Sequence, residues 1–170
     1  MKKIIICGYD YYTEAVLKAI EEAAKKFNLP MPEVTCEIEE SKNLIEIAKT
    51  DQFPLFILDK RLPSKEGYPY KEAMPFSEEL RRQRGEKYSV YHNPRGNEAG
   101  ILIYTKEKYS FSERNSGSFW RANMYLVKDE DATDEQLAEL VLGAAVFADK
   151  EWQLNALWDE IRSTFKRRAA

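Results

Sequence analysis

Apolar residues along this chain switch between short continuous runs and stretches with helical spacing. Residues 3 to 7, Lys-Ile-Ile-Ile-Cys, are a β-branched run that stops at Gly8. Within residues 12 to 27, Ala15, Val16, Ala19, Ile20, Ala23 and Phe27 recur three and four apart, which predicts a strand feeding a helix. Pro30 and Pro32 close that helix, Val34 to Ile38 alternate as a second strand, and Leu44, Ile45 and Ala48 mark a short amphipathic helix behind a Ser41 cap. Pro54 to Leu58 is apolar throughout, the pattern of a strand covered on both faces.

The order then loosens. Residues 68 to 100 hold one helical piece around Ser77 to Arg84 and a polar, turn-rich remainder too long for a plain connection, so 85–100 is expected to be an insertion. Ile101 to Tyr104 form a fourth strand ending at Thr105; the stretch EKYSFSERNSGSFWR, 107–121, has little periodicity; Met124 to Val127 form a fifth strand ending at Lys128. Thr133, Asp134 and Glu135 open a helix through Leu137, Leu140, Val141, Ala144 and Phe147, and its spacing continues through Trp152, Leu154, Leu157, Trp158, Ile161 and Phe165. Strands alternating with helices imply βαβ units with right-handed crossovers. The expected fold is therefore one α/β domain over 1–170, a doubly wound five-stranded parallel sheet with a helical extension over 148–170.

Composition changes this picture little. Hydrophobic residues make up 44% and charged ones 32%, ordinary for a globular domain, and the net charge of −3 argues against nucleic acid as a partner. Arg81, Arg82 and Arg84, and the terminal Lys166, Arg167 and Arg168, read as solvated helix faces or ends. The apolar run before Gly8 is too short for a signal peptide or a membrane span, so the expectation is a cytoplasmic protein with no membrane partner. Cys7 and Cys36 lie in strand-like runs and are expected reduced and buried. With His92 as the one histidine, a zinc site or a serine-type triad has little to build on.

The candidate chemistry sits at strand ends. Asp59, Thr105 and Lys128 each follow an apolar strand at the edge where ligands collect in open α/β sheets. The competing reading of Asp59 alone is a turn opener, with Pro63 and Gly67 as loop punctuation. A carboxylate, a hydroxyl and an ammonium together suit phosphoryl chemistry: Asp59 attacks, Lys128 compensates charge and Thr105 bonds a phosphoryl oxygen.

Three stretches, LDKRLPSKEG (58–67), ILIYTK (101–106) and RANMYLVK (121–128), resemble the response-regulator receiver domains of two-component signalling over residues 2 to 147 outside the insertion. The resemblance implies a flavodoxin-like strand order, 2-1-3-4-5, in which Asp59 is the phosphoacceptor, Thr105 the switch hydroxyl, Tyr125 the coupled aromatic and Lys128 the charge partner. It also implies magnesium, yet the family's two adjacent acids after the first strand are replaced by Gly8 and Tyr9, with Asp10 one residue late. Metal held by Asp10 and Asp59 is then expected to be weak or absent. Two functions follow. One is a stand-alone receiver phosphorylated on Asp59 by a sensor histidine kinase or phosphotransfer protein, acting on a downstream protein target. The other is a pseudo-receiver, the same fold used for protein binding without a phosphoryl cycle. Beyond the receiver-like part, Trp152 and Trp158 are expected to be exposed and to carry a homodimer or docked partner through the final helix, unless the segment folds back on Tyr88, Val90 and Tyr91.

Overall fold

Ile4 and Ile6 point to one face of the first strand and Ile5 and Cys7 to the other, and all four are buried. A strand apolar on both faces must lie inside a sheet with cover above and below, and the architecture follows from that. The computed structural model describes residues 3–50, 54–65, 70–86, 98–117, 119–147 and 152. In chain order the elements are β1 (Lys3–Cys7), α1 (Asp10–Lys26), β2 (Glu33–Glu37), α2 (Lys42–Thr50), β3 (Pro54–Leu58), α3 (Ala73–Gln83), β4 (Gly100–Thr105), α4 (Phe111–Arg114), a short 3-10 turn (Phe119–Arg121), β5 (Met124–Val127) and α5 (Asp134–Phe147). The five strands form one sheet in the order β2-β1-β3-β4-β5, and every pair is parallel. The expected doubly wound α/β fold is thus the fold observed.

Two apolar layers hold the sheet. Ile4, Ile6, Leu55, Ile57, Leu102 and Tyr104 pack against Val16 and Ile20 of α1 and Leu137, Leu140 and Val141 of α5. On the other face, Ile5, Phe56, Leu58, Ile101 and Ile103 pack against Leu44 of α2, Phe76 and Leu80 of α3, and Phe119 of the 3-10 turn. A core of this size is what a chain of this length can bury without disulfides.

Several boundaries differ from the sequence reading. The first helix begins at Asp10, where an acid favours the positive helix start. Helix α3 starts at Ala73, ahead of the expected Ser77, because Pro75 falls in its first turn, where a missing N–H costs nothing. The hydroxyl of Ser41, ahead of α2, donates to the Tyr70 carbonyl. Thr133 does cap α5, accepting from the Gln136 N–H at 3.2 Å while Gln136 Oε1 accepts from the Thr133 N–H at 2.9 Å. Cys36 is exposed, against expectation, since β2 is an edge strand; Cys7 is buried, and both thiols are free.

Two larger corrections concern charge and the terminus. Arg81 is 1% exposed, where a solvated helix face was expected. Its guanidinium donates to Arg121 O at 3.0 Å, Asn123 Oδ1 at 2.8 Å, Glu86 Oε2 at 2.6 Å and Ala99 O. Glu86 in turn accepts from Arg84 Nε at 2.7 Å and from the Ala99 N–H at 2.9 Å. The stem of the expected 85–100 insertion is therefore pinned from both sides, while 87–97 lie outside the described residues, His92 among them. Trp152 is fully buried in the α1/α5 layer rather than exposed, and it stands outside helical structure. Trp158, Ile161 and the terminal basic residues fall outside the described residues.

Candidate functional site

Parallel pairing brings the strand ends level. Cys7 pairs with Leu58, so Gly8 and Asp59 lie side by side at the carboxyl edge, and the Asp59 N–H donates to Cys7 O at 3.2 Å. Thr105 pairs with Val127 at the end of β5, and the Lys128 N–H donates to Thr105 O at 2.9 Å. Asp59, Thr105 and Lys128 all line one cleft of about 230 Å³, with Arg61, Glu107 and Tyr12. This is the sheet edge, near the β1/β3 switch point, where open α/β folds bind their ligands.

Asp59 and Thr105 meet directly. The Thr105 hydroxyl donates to Asp59 Oδ1 at 2.6 Å, and the Lys60 N–H donates to the same oxygen at 2.8 Å. Burial raises the Asp59 carboxyl above its ordinary range; the bonds from Thr105 and Lys60 oppose that rise, Glu107 adds to it and Lys128 weakly opposes it. Lys128 does not pair with Asp59. Its ammonium lies 3.1 Å from Asp134 Oδ1, and the Tyr104 hydroxyl donates to that same oxygen at 2.7 Å. Arg61 and Glu107 form a two-bond pair, 2.7 and 2.9 Å, between the loops that follow β3 and β4.

Tyr125 is half-buried, and its hydroxyl accepts from the Tyr109 N–H at 3.1 Å. Its ring meets Tyr109 and Phe119 edge to face, with centroids 5.4 Å apart in each case. Lys60 ties this cluster to Asp59: the residue is 8% exposed, its Nζ lies 4.6 Å from the centre of the Tyr109 ring, and it bonds Lys108 O at 3.2 Å and Glu113 Oε1 at 3.4 Å. Glu113 also closes the capping box that starts α4 at Ser110. Lys60, Tyr12, Asp134 and the Arg61–Glu107 pair are functional neighbours that sequence reading missed. Only Lys60 and Arg61 carried a signal, by standing next to Asp59.

Asp10, the other expected metal ligand, is not among the residues that line the cleft. It is exposed in the first turn of α1, where its carbonyl accepts from the Thr13 hydroxyl at 3.0 Å. A magnesium ion at this edge needs several oxygen ligands in a near-octahedral set. The residues do not fit one: a Cβ placed on Gly8 would lie 2.4 Å from Cδ1 of Tyr12, so an aromatic ring stands where an acid would project. Among the described residues no group of three or more His, Cys, Asp or Glu converges to hold a metal.

No protein-family model matches this sequence, and no curated protein matches it either. Solved structures do. A two-component response regulator of the LuxR family from Aurantimonas sp. SI85-9A1 aligns with a TM-score of 0.54 at 17% identity, over 99% of this chain and 98% of that one. The isolated REC domain of RcsB from Salmonella enterica serovar Typhimurium, with phosphomimetic BeF3−, gives 0.54 at 16% identity and 97% of each chain. A DNA-binding response regulator of the LuxR family from Staphylococcus aureus gives 0.53 at 13% identity, over 82% of this chain and 94% of that one. Identities this low carry the fold and no residue's role. The five-stranded order, the helices on both faces and these alignments agree on one conclusion: the chain has the receiver-domain fold of response regulators.

Proposed function

We propose that this chain is a pseudo-receiver, a receiver-fold module that acts by protein–protein contact and is held in one switch state without a phosphoryl cycle. One observation carries the reading. The receiver resemblance implies that modification of the aspartate repositions the switch hydroxyl and the coupled aromatic; here Thr105 donates to Asp59 at 2.6 Å and Tyr125 is tied to Tyr109 without it. The pairing of Lys128 with Asp134 supports it, because the cation that would meet a phosphoryl group has a partner of its own. The downstream partner is a protein that reads this fixed surface.

A second reading, a stand-alone receiver phosphorylated on Asp59 by a sensor histidine kinase or phosphotransfer protein, is favoured by the cations Arg61, Lys106 and Lys128 lining the same cleft. Incubation with acetyl phosphate, with and without magnesium, followed by intact-protein mass separates the two. The expected result is no adduct. One added phosphate on wild type and none on Asp59→Asn would establish the second reading. Association through the final segment is a further part of the proposal, resting on Trp158 and Ile161 now that Trp152 lies in the protomer's own core. Sedimentation equilibrium of wild type beside Trp158→Glu/Ile161→Glu tests it, and a wild type that stays monomeric at high concentration removes the dimer.

A further inference from the structure

We propose that Tyr12 is the residue that closes the divalent-cation position of this fold, so that the Asp59 cleft does not take magnesium. The inference deepens the pseudo-receiver reading and rests on it for its biological sense, while its geometry stands by itself. Gly8 is level with Asp59, at the place where the receiver resemblance puts the first metal-holding acid. Any side chain there meets the Tyr12 ring, whose Cδ1, Cγ and Cε1 would lie 2.4, 3.0 and 3.1 Å from its Cβ.

The ring is not free to swing away. Tyr12 is 5% exposed, packs in the α1/α5 layer, and its hydroxyl donates to Tyr104 O at 2.7 Å. Breaking that contact would leave a buried hydroxyl and carbonyl unpaired. An aromatic ring is also a poor neighbour for a hard cation, which holds oxygen ligands and several waters. Glycine at position 8 and tyrosine at position 12 are thus one device: the absent side chain makes room for the ring, and the ring excludes the acid. The cations that line the cleft do not replace a divalent ion: Arg61 is bound to Glu107 and Lys128 to Asp134.

Two measurements test this on the full chain. The first is a stability cycle in urea. Gly8→Ala should lower the unfolding midpoint in wild type and leave it nearly unchanged in a Tyr12→Ala background, because the clash needs both partners. Additive effects would overturn the contact. The second is Mn2+ binding read by the loss of free-ion electron paramagnetic resonance signal. Wild type should bind no more Mn2+ than Asp59→Asn, and Gly8→Asp/Tyr12→Ala should bind roughly tenfold or more tightly, as an added carboxylate does for a hard-cation site. Asp59-dependent Mn2+ binding by wild type, or a folded double variant that gains none, would overturn the proposal. If the double variant does not fold, the wild-type arm and the stability cycle still decide it. The pseudo-receiver reading fails separately: acetyl phosphate labelling of Asp59 without any divalent cation would end that reading and leave Tyr12 as assigned, whereas magnesium-dependent labelling would end both.

Discussion

Asp59 holds its proton more tightly in the folded chain than an ordinary carboxyl does, chiefly because it is partly withdrawn from water. The sign of the consequence is fixed by linkage. Between the ordinary value of 3.8 and the raised one, the folded state binds more protons than the unfolded state, so stability falls as pH rises through that window. Above it, the ionised Asp59 is a standing cost. Asp59→Asn keeps an acceptor for Thr105 and Lys60 and removes the charge, so it should raise the urea midpoint at pH 7.5, with the gain shrinking as the buffer approaches pH 4. A variant with no advantage at neutral pH would contradict this. Thr105→Val keeps the shape and deletes the donor. A bond to a charged group contributes about 1.5–3 kcal/mol, and water reaching the half-buried Asp59 should hold the loss near the lower end. The same variant should push the Asp59 carboxyl further up, readable by side-chain carbon shifts in an NMR titration. These two residues were legible because each ends an apolar strand on the same sheet edge. The partner of Lys128 was not: Asp134 is brought to it by the turn after β5, where Asp129 takes a positive φ of 70° and Asp131 accepts from the Val127 N–H.

At the scale of elements, period decided what was readable. β1, β3, β4 and β5 are near-continuous apolar runs and were found to within a residue, since a strand covered on both faces has no polar positions to blur its ends. Helix α3 was misjudged at both its start and its chemistry. A cluster of three arginines in a polar stretch looks solvated from the sequence, because nothing local reveals that Arg81 will meet Glu86, Ala99, Arg121 and Asn123 from three parts of the chain. That clamp fixes the end of α3 against the starts of β4 and β5, and Asn123 Oδ1 also accepts from the Ile101 N–H at 2.8 Å. Arg81→Met should destabilise by about 1.5–3 kcal/mol, because it takes the partner from Glu86 Oε2 and from the Ala99 and Arg121 carbonyls while Arg84 still holds Glu86 Oε1. Arg81→Met/Glu86→Gln should recover part of the loss, and amide exchange at Ile101 should accelerate in the single variant. An unchanged midpoint for Arg81→Met would show that the clamp is idle. Helix α5 presents a different case: Leu137, Ala138, Leu140, Val141, Leu142 and Ala144 are all buried, so it is apolar on more than the face it turns to the sheet. A helix of that kind needs cover on its outer side too.

For the whole molecule, Trp152 adds to the layer into which α5 packs. The sequence pattern carried it onward as a helical position, and only the three-dimensional return of the chain places its ring in the layer that holds Ile4, Ile20 and Leu140. Trp152→Ala should cost about 3–5 kcal/mol and lower a single cooperative transition. A separate early transition would instead mean that the terminal segment melts apart from the sheet. No helix among the described residues is long and apolar enough to cross a membrane. The Arg81 clamp has one more consequence at this scale. Glu86 and Ala99 are bonded to each other and to the same guanidinium, so the chain between them begins and ends at a closed gate. Closing a loop grows costlier only slowly with its length, by about 0.6 kcal/mol for each doubling. Anchors joined in this way predict an outcome for insertion between them: a peptide epitope or a small domain with adjacent termini, grafted between Glu86 and Ala99, should leave the melting temperature almost unchanged, and should lower it once Arg81→Met has opened the clamp.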